Sequence, residues 1–181
     1  VVFRVLHSLR IGFGPPVEEL MRSVKPNAAH LIAASLLLSG GHVWTPNIDT
    51  AIESAWRCLQ GSRGEPIHRV LSFQSSANGE AEPNETSFEE LGHGTLIKFH
   101  GSADVPGSLV FTDYQLLTPL PSRLVEQLSS NVAGKHLVFY GYLGADADLH
   151  DLICASIERA SRVSWFVISD DQREFVEKAF G

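Results

Sequence analysis

Cysteine is scarce in this chain: only Cys58 and Cys154 occur among 181 residues, far apart in the sequence. Two separated cysteines build neither a disulfide framework nor a paired metal knuckle, so both read as core residues. The eight histidines are scattered too, and no His-x-x-x-His or Cys-x-x-Cys pair starts a tetrahedral zinc site. No bound metal is expected. Basic residues are also in deficit. Fourteen Lys and Arg against 21 Asp and Glu leave a formal charge of -7 with no local basic cluster, which excludes nucleic acid as an expected partner. Long apolar runs are missing as well: the longest, Leu31 to Leu38, falls far short of the roughly 20 residues that cross a bilayer. Val1 to Ser8 has no basic stretch followed by a cleavable apolar one. The expectation is a cytoplasmic protein with no membrane partner.

What is present suits one folded domain spanning residues 1–181, since 44% of the residues are hydrophobic and can fill a core. Pro15-Pro16 followed by Glu18-Glu19 predicts a short helix to Arg22. Asn27 to Leu38 is apolar almost all round, predicting a buried helix stopped by Gly40-Gly41. His42 to Thr45 reads as a strand broken at Pro46, after which Asp49 can cap a helix through Gln60. His68 to Gln74 reads as a strand, and the polar, Gly- and Pro-bearing stretch from about 75 to 93 as an exposed insertion loop. Thr95 to Phe99 is an interior strand by composition, and His136 to Tyr140 the clearest buried one. Helices are expected at Pro121 to Ser130, from near Asp148, and from Asp170 to Ala179 after a last strand at Arg162 to Ile168. Trp44, Trp56 and Trp165 read as core.

Strands alternating with helices predict an α/β fold, a Rossmann-like, doubly wound and mostly parallel sheet, because each parallel crossover needs a helix to return the chain. Ligands in such sheets bind beyond the carboxyl ends of the strands, which here follow Trp44, Phe99, Tyr140 and Ile168. Taken singly, the residues there have ordinary explanations. Asp49 suits a helix cap, Asn47 a turn after proline, and His100 a strand end. His30, on an apolar helix, reads as a structural residue or one lying behind the site, and Thr112-Asp113 as an equally good helix cap or ligand neighbour.

Taken in order, three segments resemble the sirtuin superfamily. Pro26-Asn27-Ala28-Ala29-His30 leads to Thr45-Pro46-Asn47-Ile48-Asp49. Ile97-Lys98-Phe99-His100-Gly101-Ser102 is similar to the strand that delivers the family's catalytic histidine, and Leu109 to Tyr114 follows it. Tyr140-Gly141-Tyr142-Leu143-Gly144-Ala145-Asp146-Ala147-Asp148-Leu149 looks like the family's later glycine turn over its cofactor. The resemblance covers about residues 26–170, and it is nearest to the zinc-free bacterial sirtuin-like domains, many of them NAD-consuming modules of antiphage defence proteins.

What the resemblance implies is an NAD glycohydrolase, with NAD as substrate and ADP-ribose as product. Asn47 would place the nicotinamide-side ribose and a water, Asp49 would hold the nicotinamide carboxamide, and His100 would be the general base. Thr45, Gly101, Ser102, Gly141, Tyr142, Ser169 and Asp170 would line the cofactor. Imidazole can take a proton at neutral pH, and an asparagine amide both donates and accepts. The chain also departs from the family. Gly12-Phe13-Gly14 runs into Pro15-Pro16, and proline has no N–H to offer a phosphate, so the family's glycine-rich first strand and turn are expected to be missing. On that reading the domain is incomplete at its N-terminus, and an additional domain or subunit supplies the phosphate loop. Leu143 stands where related turns carry serine, and Pro46 where deacylases carry glutamine. With no four-cysteine module to form an acyl-lysine cleft, a deacylase is disfavoured. The alternative reading is a catalytically silent nucleotide-binding or protein-interaction module.

Overall fold

The computed structural model describes residues 15–60, 73–75, 81–83, 94–105, 108, 109 and 117–181. The Gly12-Phe13-Gly14 turn, most of the strand expected from His68 and the Thr112-Asp113 pair lie outside them. The chain divides into two compact units, Val1–Phe111 and Thr112–Gly181.

In the first unit, α1 (Pro15–Arg22) is followed by α2 (Ala28–Leu38), β1 (Val43–Thr45), α3 (Ala51–Gln60), β2 (Phe73–Ser75), β3 (Ala81–Pro83) and β4 (Leu96–Lys98). Helix α2 begins where Asn27 accepts the Ala29 and His30 backbone N–H groups, while the His30 ring nitrogen takes the Asn27 N–H at 3.1 Å. This reciprocal cap satisfies donors that an uncapped helix end leaves unpaired. His30 is thus structural, as expected. The helix ends at Gly40, whose φ of +85° and bond to the Leu37 carbonyl turn the chain into β1. Only Ala34 and Leu37 of α2 are buried, against Ile52, Ala55 and Trp56 of α3 and Leu96 of β4.

The expectation of a wholly buried α2 is therefore corrected. Ile32 is 61% exposed, and Leu31, Leu36 and Leu38 are exposed with it. An all-apolar helix carries no stripe to say which side meets the core, and α3 covers one side alone. Helix α3 is amphipathic, with Ile52, Ala55 and Trp56 inward, each worth up to about 2 kcal/mol in burial for the larger side chains. Cys58 on its outer face is exposed and Cys154 only half-buried, so neither is the core residue expected.

Strands β1 and β4 pair in parallel with Val43, Trp44 and Thr45 opposite Leu96, Ile97 and Lys98. β2 and β3 pair antiparallel, Phe73 opposite Pro83. The stretch expected to be an insertion loop thus contains a strand, and the chain segment ending near Gln74 joins a hairpin. Alanine, glutamate and proline are poor strand formers, so backbone pairing and not composition made Ala81–Pro83 a strand.

The second unit holds α4 (Ser122–Ser130), β5 (His136–Tyr140), a 3-10 turn (Ala147–Leu149), α5 (His150–Arg159), β6 (Arg162–Phe166) and α6 (Asp170–Phe180). Helices α4 and α5 pack together, burying Leu124, Leu128, Leu152 and Ile153. Arg159 donates to the Glu126 carboxylate at 2.7 Å and holds it below the usual carboxylate range. β5 and β6 are parallel, His136 opposite Arg162 through Tyr140 opposite Phe166. On one side Phe139 stacks on Trp165 at 3.9 Å between ring centroids, and Phe180 of α6 stacks on Trp165 in turn. On the other, Val138, Tyr140 and Phe166 are exposed, so β5 alternates and is not the buried strand expected. Trp56 is core, whereas Trp44 and Trp165 are half-buried. Among the described residues no helix is long and apolar enough to cross a membrane.

Candidate active site

Because β1 and β4 are parallel neighbours in register, the segments leaving Thr45 and Lys98 emerge side by side from one edge of the sheet. Asn47 and Asp49 lie on the first segment, His100, Gly101 and Ser102 on the second. The two are tied directly: the Ala103 N–H donates to the Ile48 carbonyl at 2.8 Å, and the Arg22 Nε of α1 donates to the Ala103 carbonyl at 2.8 Å. The ladder continues into them through the Phe99 N–H on the Thr45 carbonyl.

Each predicted residue of this unit takes a distinct position. Thr45 is buried, its hydroxyl accepting the Asn47 N–H at 3.1 Å and turning the chain after Pro46. That turn leaves Asn47 exposed at the loop tip. One oxygen of Asp49 accepts the Ala51 N–H at 2.9 Å, opening α3, so the helix-cap role open in the sequence is occupied. His100 is 8% exposed, directly after the strand. Gly101 has φ +84°, and a Cβ there would sit 2.1 Å from the Ser108 carbonyl oxygen. Gly101→Ala is expected to destabilise the unit by about 3 kcal/mol or more, combining left-handed strain with a backbone collision. Urea unfolding checks this; an unchanged midpoint would show that the loop can re-form around a side chain. Ser102 is wholly buried, its N–H bonded to the Ser108 hydroxyl at 3.0 Å and its own hydroxyl donating to Asp104.

Sequence reasoning missed the residue that joins these segments. Lys98, the last of β4, is 1% exposed, and its Nζ donates to the Asp49 carbonyl at 2.5 Å, the Glu53 carboxylate at 2.6 Å and the Ser102 hydroxyl at 2.8 Å. An ammonium has three protons, and all three are used. A charge inside the otherwise apolar run Leu96-Ile97-Lys98-Phe99 was the available signal, because a buried charge requires a partner.

The second unit positions the remaining predicted residues. Gly141 follows β5 with φ +63° and open space where a Cβ would be. Tyr142 stacks with Phe139 and Trp165, and the Trp165 indole N–H donates to its carbonyl at 2.9 Å. Burial, with the Asp146 carboxylate next to it, pushes the Tyr142 phenol far above its ordinary range. The hydroxyl therefore stays protonated. Leu143 is exposed. Ser169 caps α6, accepting the Gln172 N–H at 3.2 Å while the Gln172 side chain accepts the Ile168 N–H at 2.9 Å. Ser169 and Asp170 line a 310 Å³ groove with Val167, Ile168 and Arg173, beyond the carboxyl end of β6. Arg173 pairs with Asp170 at 2.7 Å.

Residues 41–180 match the family profile described as the SIR2-like domain. A comparison with curated proteins returned no match.

Proposed function

The chain belongs to the SIR2-like domain family, and from that premise we propose that it hydrolyses NAD at the nicotinamide-ribosyl bond. The carrying observation is the parallel register of β1 and β4, which sends the Asn47 and His100 segments out of the same sheet edge, tied to each other by Ala103 and Ile48.

In this reading the glycosidic bond breaks with its electron pair going to nicotinamide, whose positive charge is thereby cancelled. Little acid catalysis is needed at such a leaving group. Water attacks the ribose carbon, losing its proton to the His100 imidazole and then to solvent. The products are nicotinamide, ADP-ribose and a proton. Asn47, exposed at its loop tip, is suited to orient ribose and water through an amide that donates and accepts. The Asp49 oxygen not engaged by the Ala51 N–H takes the carboxamide N–H. Ser102, with its hydroxyl committed inside the loop, serves by shaping it. NAD consumption then acts in antiphage defence, as in the branch whose motifs these residues resemble.

The burial of His100 and Ser102 favours the second reading, a silent nucleotide-binding or interaction module. Chromatographic assay of the purified chain with NAD separates the two: nicotinamide and ADP-ribose are expected in equal amounts. Stoichiometric NAD binding by calorimetry with no nicotinamide formed would sink the hydrolase and leave the silent module.

A further inference from the structure

We infer that Lys98 is a positioning residue, its buried ammonium setting the spacing between the Asn47–Asp49 segment and the His100–Ser102 segment. The inference rests on the hydrolase reading for its kinetic consequence, though the tie itself does not. A lysine in a core needs one carboxylate to be neutralised, and Glu53 at 2.6 Å supplies it. The other two donors go elsewhere. They reach the Asp49 carbonyl, two residues beyond Asn47, and the Ser102 hydroxyl, two residues beyond His100. The three bonds thus join α3, the segment after β1 and the segment after β4 at one nitrogen. The Ser102 hydroxyl passes the tie on to Asp104, and the neighbouring Ala103 is gripped on its carbonyl by Arg22 and through its N–H by Ile48. Water is excluded from the junction, with the Lys98 side chain 1% and the Glu53 side chain 4% exposed, so these bonds keep the strength of a low-dielectric interior. Cleavage of a glycosidic bond needs water, ribose and base held in one geometry, and a displacement of about 1 Å can cost about a hundredfold in rate.

The test replaces the ion pair as a pair, because Lys98→Met alone leaves Glu53 charged and buried. In K98M/E53L both charges go, a change that buried pairs often tolerate. Cooperative urea unfolding establishes that the variant is folded. Expected is a kcat for nicotinamide release about a hundredfold below wild type with KM for NAD little changed. Hydrogen exchange at the Ala103 amide is expected to quicken about tenfold while α3 amides keep their protection. A folded double variant with wild-type kcat overturns the inference. If the wild-type chain itself releases no nicotinamide, the hydrolase reading fails separately, and exchange decides the tie: unchanged Ala103 protection in the folded variant overturns it.

Discussion

Replacing His100 by alanine is expected to lower nicotinamide release from NAD by about 10²- to 10⁴-fold, the range a positioned general base contributes. In the proposed mechanism the effect belongs in kcat, because there the imidazole acts on the water as it attacks and not on the bound nucleotide. The site limits what else can take the role. His100 follows β4 at the sheet edge shared with Asn47, while the Ser102 hydroxyl is already donating to Asp104 and one Asp49 oxygen is capping α3. His100→Gln, close in size and without a basic nitrogen, separates proton transfer from packing. Initial-rate kinetics on both variants, with unfolding curves as the fold control, provide the check. Release at the wild-type rate from a folded His100→Gln protein would remove His100 from the chemistry.

The second large effect falls on stability. Lys98→Met is expected to cost about 3–5 kcal/mol in urea unfolding, because removing one member of a buried pair leaves the other uncompensated. Glu53 is 3% exposed, and among the described residues its second carboxylate oxygen accepts no hydrogen bond. The Asp49 carbonyl and the Ser102 hydroxyl lose a donor in the same step. A midpoint equal to wild type would mean that water or a rearranged side chain takes the place of Lys98. The comparison with K98M/E53L is informative here too, since the double variant should recover most of the loss.

Much of the fold was legible because its signals are local. Asn27, Asp49 and Ser169 cap the helices that follow them, and β1, β4, β5 and β6 lie within or beside the apolar runs that predicted them. What was not legible depends on partners. The apolar residues of α2 and β5 report what could be buried, not which neighbour covers them, and Ile32 and Tyr140 are both more than half exposed. Ala81–Pro83 is a strand through its backbone partners, which composition does not encode. The strand-end positions of Asn47 and His100 followed from the βα pattern. Lys98 reads in the sequence as one letter of a motif. Its meaning arises only when Glu53, distant in sequence, is brought to the same nitrogen.

The pairing of Trp44 with Ile97 also has a consequence in time. During synthesis β1 and α3 emerge well before β4, so the nascent chain carries Asn47 and Asp49 long before it holds His100 or the lysine that joins them. The proposed chemistry is therefore the last property of the first unit to come into being. Contacts so distant along the chain form slowly, and a nascent chain ending before Leu96 lacks both His100 and Lys98 of the proposed site.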